Sequence, residues 1–304
     1  MISQAVKEAL RRFVPAENIL YKEPLAKHTT FRVGGEADCL IQVSDTQQLP
    51  QLMKYITTVE LPFFIMGNGS NLLVGDKGFE GIVIQISDKC NAIRVVGNRI
   101  YAQAGAYMSK VAKVAQEYGL TGLEFAAGIP GTIGGGVVMN AGAYDGEMKQ
   151  VIEEVTVLNK EGNRLVLDNA TMEFGYRTSA IKNQPFIVTE CCFLLQKGDK
   201  DAIAAKMADF QNRRKEKQPL EYPSAGSTFK RPEGHFAGKL IVDAGLAGYQ
   251  IGGAQVSEKH CGFVINAGEA TAADIKQLIA YIQDEVYKQF SVKLEPEVIF
   301  LGEF

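Results

Sequence analysis

The sequence is poor in the residues that build metal and nucleophile sites. It has three histidines, at 28, 235 and 260, with no His-Glu-x-x-His pair and no Cys-x-x-Cys. Zinc chemistry of the usual kinds is unsupported, and no metal is expected. No Gly-x-Ser-x-Gly elbow occurs, which argues against a serine hydrolase of that type. The five cysteines, at 39, 90, 191, 192 and 261, are odd in number and form no spaced framework, so reduced thiols are expected. No apolar run approaches the roughly 20 residues of a membrane span. The N-terminus is amphipathic and lacks the basic start and apolar stretch of a secretion signal. A cytoplasmic protein is the expectation. With 32 Lys+Arg against 35 Asp+Glu, no basic field invites nucleic acid.

What the 304 residues do contain is 46% hydrophobic and 22% charged side chains, enough for a sizeable core and, by length, about two domains. The dominant stretch is GLEFAAGIPGTIGGGVVMNAGAYDG, residues 122–146. A linker of this glycine content would carry serine and little that is apolar. Here Phe125, Ile129, Ile133, Val137, Val138 and Met139 lie among the glycines. The segment should therefore be buried, with backbone brought close to something. Consecutive backbone N–H groups form concave nests for anions, which makes a phosphate the natural partner; a packed turn between core strands is the plainer alternative. A second such stretch, GNGSNLLVGDKG at 67–78, follows a short apolar strand at 63–66. It departs from the dinucleotide fingerprint, because Leu72 stands where the last glycine belongs. No Walker A loop is present, since GHFAGKL at 234–240 has the wrong spacing.

Apolar spacing predicts helices over 2–13, over a segment capped by Ser44 or Asp45, and over 107–118, 200–217 and 271–290. Thr271 and Asp274 make a capping box for the last of these. Strands are predicted near 38–43, 81–86, 99–104, 151–158, 164–167, 186–196 and 297–301, with a hairpin turn at 160–163. Cys191 and Cys192 read as core. A change of composition near residue 198 divides the chain. Arg32, beside Gly34-Gly35, is placed to meet a phosphate or a carboxylate, or to form an ordinary surface ion pair. Two phosphate-type segments without a dinucleotide fold suggest a large phosphate-bearing cofactor held by loops, which would carry the chemistry.

Six motifs in order, TTFRVGG (29–35), GNGSNLLVGD (67–76), GLEFAAGIPGTIGGGVVMNAGAYDGE (122–147), FGYRTS (174–179), PSAGSTFKRP (223–232) and LEPEV (294–298), resemble the UDP-N-acetylenolpyruvoylglucosamine reductase family over essentially the whole chain. The resemblance implies an α+β protein. An FAD-binding domain of the vanillyl-alcohol-oxidase (PCMH) type would cover 34–198, with residues 1–33 as its lead-in. A C-terminal α/β substrate-binding domain would cover 199–304. It implies noncovalent FAD, NADPH as reductant, and reduction of the enolpyruvyl ether of UDP-N-acetylglucosamine to UDP-N-acetylmuramate, a step of peptidoglycan synthesis. The tyrosine-loop insertion of the longer subtype has no counterpart here, so the shorter subtype and a monomer are expected.

The same resemblance suggests the site. The cofactor would lie on Arg32, on Gly67, Asn68, Gly69, Ser70, Asn71 and Leu72, and on Gly128, Ile129, Pro130, Gly131, Thr132, Gly134, Gly135, Asn140, Ala141 and Gly142. Hydride passes through the flavin N5 to the enolpyruvyl group, and charge develops on the α-carbon and its carboxylate. Arg177 would grip that carboxylate with two parallel donors. Glu297 matches the family's active glutamate and is expected to be protonated or to act through a hydrogen bond. Ser227 matches the proton donor to the α-carbon. From the residues alone Ser224 and Ser227 are not separated; the motif selects Ser227, and a turn residue is the bland alternative. Tyr176 joins the substrate-side candidates. Lys230, Lys259 and Arg213 or Arg214 are candidates for the UDP diphosphate or else solvated surface cations. His260 either lines the substrate site or is a satisfied, partly buried histidine.

Two other readings remain, an FAD oxidase of the same fold acting on an alcohol or sugar, and a nucleotide-sugar-binding protein without turnover. The visible spectrum of the purified protein separates the last of these. Bound yellow flavin is expected, and a colourless preparation would support the binding protein.

Overall fold

The computed structural model describes residues 2–182 and 184–304. It divides into two compact units that exchange the chain several times. The first takes the chain through Tyr21, then Cys39–Asn68 and Gly81–Arg214; the second takes Lys22–Asp38, Gly69–Glu80 and Lys215–Phe304. This division differs from the expected break near 198 in two ways, each with a packing reason.

The Lys200–Lys217 helix joins the first unit as far as Arg214. Ile203 is buried, Phe210 stacks on Tyr144 with ring centroids 4.4 Å apart, and the Lys206 ammonium lies 3.7 Å from Glu124. The segments 22–38 and 69–80 join the second unit because its C-terminus claims them. Strand Leu72–Val74 pairs in parallel with Ile299–Leu301, and the Gly35 amide donates to the Gly75 carbonyl at 2.9 Å. At Gly75 a Cβ would sit 2.0 Å from the Glu303 carbonyl oxygen, so only glycine allows that approach.

The first unit is built on two sheets. In one, strands Ile19–Pro24, Glu36–Val43, Phe79–Ile86 and Phe63–Met66 lie in that order, the last two parallel. From Ala37 to Ile41 every residue is buried, so this strand is continuously rather than alternately buried, its one carboxylate, Asp38, paired with Lys22 at 2.6 Å. The other sheet is antiparallel, in the order Arg164–Asp168, Ile152–Leu158, Ile187–Leu194, Arg99–Gln103, Ile93–Val96. Its first hairpin closes at the expected place, with Gly162 left-handed (φ +80°) and the Asn159 side chain accepting from the amides of Glu161 and Asn163. Helices Leu49–Thr58 and Met108–Glu117 bury the predicted stripes, Leu49, Leu52, Met53 and Ile56 in one and Met108, Val111, Ala112 and Ala115 in the other. The first helix is shorter than predicted, Gln4–Leu10, capped by Ser3. The five cysteines are buried and form no disulfide among the described residues.

In the second unit a small antiparallel sheet, Gln250–Ile251, Ala254–Val256 and Val264–Asn266, packs beside the Ala272–Phe290 helix. That helix buries Ile275, Leu278, Ile279, Ile282 and Val286 and carries the expected Thr271/Asp274 capping box. Asp76 adds its carboxylate to the first turn, accepting from the amides of Ala272 and Ala273 at 2.8 and 2.9 Å, where the helix dipole favours a negative charge.

Just before the glycine-rich segment, Glu124 is a carboxylate only 3% exposed. It accepts from the Thr121 hydroxyl at 2.6 Å and the Gly122 amide at 3.1 Å. Burial alone would raise its pKa, but these donors, its own amide and Lys206 outweigh burial and lower it. A carboxyl whose pKa is lowered on folding adds stability above its unfolded value, about 4.3. That stability fades as pH falls through the lower, folded value. Glu124→Gln is expected to cost about 1–3 kcal/mol near neutrality, the range for a disturbed buried charged group. Urea unfolding of both proteins against pH should show the gap narrowing below about pH 4; a gap independent of pH would refute the role.

Candidate active site

In the first unit the two glycine-rich segments meet. Gly67 follows the Phe63–Met66 strand so closely against Thr132 that a Cβ there would lie 2.2 Å from the Thr132 hydroxyl oxygen. Asn68 donates its side-chain amide to the Pro130 carbonyl at 3.1 Å. The 122–146 segment then turns into the short helix Ile133–Val138, with Pro130 and Gly135 exposed.

Not every amide there is offered outward. Those of Ile133 and Gly134 donate to the carbonyls of Ala106 and Ala104 at 2.8 Å each, and those of Ile129 and Ala141 donate to Ala126 and Gly136. At Ile129, Gly134 and Ala141 the backbone N–H is thus spent within the fold. Gly134 is a glycine for packing, since a Cβ would meet Ala104 at 3.1 Å. The Asn140 side chain is likewise buried among protein partners.

A cation stands beside this segment. The Arg214 side chain packs on Gly128, whose added Cβ would be 2.9 Å from Arg214 Cδ and 3.3 Å from Nη1. Burial lowers the Arg214 pKa, and among the described residues no carboxylate pairs with it. A half-buried, uncompensated guanidinium at a glycine loop fits an anionic or strongly polar ligand. The donor set therefore suits a phosphate-bearing cofactor. Arg214 lies in the first unit, with the 122–146 segment.

Arg177 lies in the same unit, in a tight turn where Gly175 and Thr178 exchange backbone hydrogen bonds. Its own backbone is left-handed, φ +55°, a costly conformation for arginine. Nη1 donates to the Gly142 carbonyl at 3.3 Å, Lys182 donates to the Arg177 carbonyl at 3.0 Å, and Ser179 ties the turn to the Val138 carbonyl at 2.7 Å. Tyr176, 54% exposed, presents its ring 5.3 Å from the guanidinium.

In the second unit Ser227 and Glu297 are brought together by the residue between Ser227 and Phe229. Thr228 is fully buried and bonds in three directions. Its amide donates to the Gly262 carbonyl at 2.8 Å, its carbonyl accepts from the Glu297 amide at 2.8 Å, and its hydroxyl accepts from the Val264 amide at 2.9 Å. Phe229 bridges Pro296 alongside. Ser227 thus stands exposed on a backbone held against that of Glu297. Asn71 backs the pair, donating its side chain to the Glu297 carbonyl at 3.0 Å while its own carbonyl accepts from Ile299. Asn71 was expected to touch cofactor; its side chain instead holds Glu297. Leu72 is a buried strand residue, and the Gly69 carbonyl accepts from the Thr30 amide. Arg32 is exposed and left-handed (φ +58°).

The softer candidates have partners within the protein. Lys230 pairs with Glu295, Lys259 with Glu221 at 3.6 Å, and Arg213 with Asp209 at 3.5 Å. His260 accepts from the Gly262 amide through Nδ1 at 3.2 Å, rests edge-on to Phe263, and has its pKa lowered by burial. Its Nδ1 is thus an acceptor within the protein. Among the described residues no cluster of metal ligands forms, and no helix is long and apolar enough to cross a membrane.

A model of the C-terminal domain of UDP-N-acetylenolpyruvoylglucosamine reductase matches residues 218–301, and an FAD-binding domain model matches residues 37–168. The reductase of Caldanaerobacter subterraneus subsp. tengcongensis is 49% identical over 99% of this chain and 100% of its own. The chain belongs to the UDP-N-acetylenolpyruvoylglucosamine reductases. A second member of the family, from Clostridium botulinum strain Alaska E43, is 51% identical over 92% of this chain and 91% of its own. The crystal structure of the Thermus caldophilus reductase superposes with a TM-score of 0.80 at 35% identity, covering 92% of this chain and 98% of that one. A variant of Phl p 4, a glucose oxidase, shares the fold alone, with a TM-score of 0.51 at 13% identity over 64% of this chain and 44% of that one. The FAD-binding fold inferred from the motifs is that of the reductase family. As the shorter subtype implies, the Gln196–Lys197 strand and the Lys200–Lys217 helix fill much of the chain between strand Ile187–Leu194 and Ser227.

Thr228 was not singled out from the sequence. Its signal was available only as a β-branched polar residue flanked by Ser227 and Phe229, which many turns contain. Gly67→Ala tests the meeting of the two segments. Thr132 is buried and β-branched, so it yields little, and the variant should lose about 1–3 kcal/mol of stability. Its retained flavin, measured by absorbance after gel filtration, should fall; wild-type retention would mean the two segments do not share the cofactor.

Proposed function

We infer that this chain uses FAD and NADPH to reduce the enolpyruvyl ether of UDP-N-acetylglucosamine, giving UDP-N-acetylmuramate for peptidoglycan. The observation that carries this is Thr228, which sets Ser227 beside Glu297 within the unit matched by the reductase C-terminal model. The reduction adds a hydride to the terminal carbon of the enolpyruvyl group and a proton to its α-carbon. FAD, when bound, supplies the hydride it has taken from NADPH. Gly67, Asn68, Gly128, Pro130, Gly131, Thr132, Gly135 and Arg214 would hold the cofactor, through their backbone and through the unpaired guanidinium.

Arg177 grips the substrate carboxylate, where a fixed fork of donors favours the charge that develops. Glu297 is protonated there or acts through a hydrogen bond, because a second ionised carboxylate beside that charge would oppose it. Ser227 gives its hydroxyl proton to the α-carbon; an alcohol is a weak acid, but a carbanion-like carbon is a strong base. The enzyme works as a cytoplasmic monomer. An oxidase reading rests on fold likeness alone, which does not assign chemistry.

Ser227→Ala separates the two halves of turnover. NADPH-driven flavin reduction should stay within about twofold of wild type, while reoxidation by the enolpyruvyl substrate should slow by about 10²–10⁴, the usual scale of a lost proton donor. Stopped-flow absorbance of the flavin reads both. Equal slowing of the halves would remove Ser227 from the chemistry, and rapid substrate-free reoxidation by oxygen would favour the oxidase.

A further inference from the structure

Asn140 follows the Ile133–Val138 helix with a left-handed backbone, φ +43°, and is 1% exposed. Its amide has one workable orientation. Nδ2 donates to the Glu147 carboxylate at 3.0 Å and to the Gly175 carbonyl at 3.0 Å, while Oδ1 accepts from the Lys149 amide at 2.9 Å. Both amide protons are thereby used. A side chain saturated in this way is not built to read a ligand. Gly175 opens the turn that carries Arg177, and its carbonyl also accepts from Thr178. Gly142, the second residue after Asn140, supplies the carbonyl that Arg177 Nη1 donates to. Asn140 therefore holds the Arg177 turn with its side chain and leads, along the chain, into the group that holds the guanidinium.

We propose that Asn140 is a positioning residue for Arg177, acting on the substrate carboxylate through that guanidinium. This rests on Arg177 being the carboxylate-binding cation. Left-handed backbone suits asparagine better than most residues, and the side chain that tolerates it also makes the tie. Removing the tie leaves the Arg177 turn, itself strained at φ +55°, free to relax.

Asn140→Gly tests the proposal in the holoenzyme, because glycine accepts the backbone at no steric cost. Flavin content and NADPH-driven reduction should stay within about twofold of wild type. Affinity of the oxidised enzyme for the enolpyruvyl substrate, read by titration of the flavin spectrum, should weaken about tenfold, and substrate-driven reoxidation should slow to match. In an Arg177→Ala background the same substitution should add less than about twofold, since its effect passes through the missing side chain. Full additivity, or slowing explained by lost flavin, overturns the proposal. If glycine unfolds the segment, Asn140→Asp carries the same expectation: it is isosteric and sets a carboxylate against Glu147. Normal substrate binding in Arg177→Ala would sink the reading of Arg177 itself. A normal Asn140→Gly beside an impaired Arg177→Ala would sink only this proposal.

Discussion

Two buried polar residues, Thr228 chiefly through its backbone and Asn140 through its side chain, hold the candidate site residues in place. Each is 1% exposed or less, and each spends its hydrogen-bonding capacity on backbone groups or side chains of other segments. A buried polar group left unpaired costs more than a made bond contributes, so such a residue fixes its neighbours as firmly as they fix it. Thr228 does this for the Ser227 and Glu297 backbones in the second unit, and Asn140 for the Arg177 turn in the first. Neither needs to touch a substrate for the site to depend on it.

Glycine plays the complementary part. Where Thr228 and Asn140 pull segments together through hydrogen bonds, Gly67 and Gly75 let backbone approach where any Cβ would collide. The glycine-rich segment mixes both kinds of role. Gly134 closes packing against Ala104, whereas Gly128 leaves room for the Arg214 side chain. Reading the whole segment as a uniform anion nest overstates it, because several of its amides already serve the fold. The unpaired Arg214 guanidinium is the clearer sign of a ligand.

Much of the architecture was legible in the chain. The helices at 49–58, 108–117 and 272–290 declare themselves because one apolar stripe at helical spacing admits one burial solution. The capping box at Thr271 and Asp274 and the hairpin at Asn159–Asn163 are local, so their residues lie next to one another in sequence. The division into units was not legible. It turns on whether Phe210 finds Tyr144 and whether Leu72–Val74 finds Ile299–Leu301, pairings across long stretches of chain that no local pattern reports.

By itself the sequence determined family, cofactor class and the identity of Ser227, Glu297 and Arg177 as the residues to watch, because six ordered motifs carry that much information. Only the tertiary structure decided which neighbours act through side chains and which through backbone. Asn71, Asn140 and Lys230 look like ligand-binding residues in one dimension, yet each has its partner within the protein. The reason is physical: a polar side chain takes whichever donor or acceptor folding brings within reach, and that reach is a property of three dimensions.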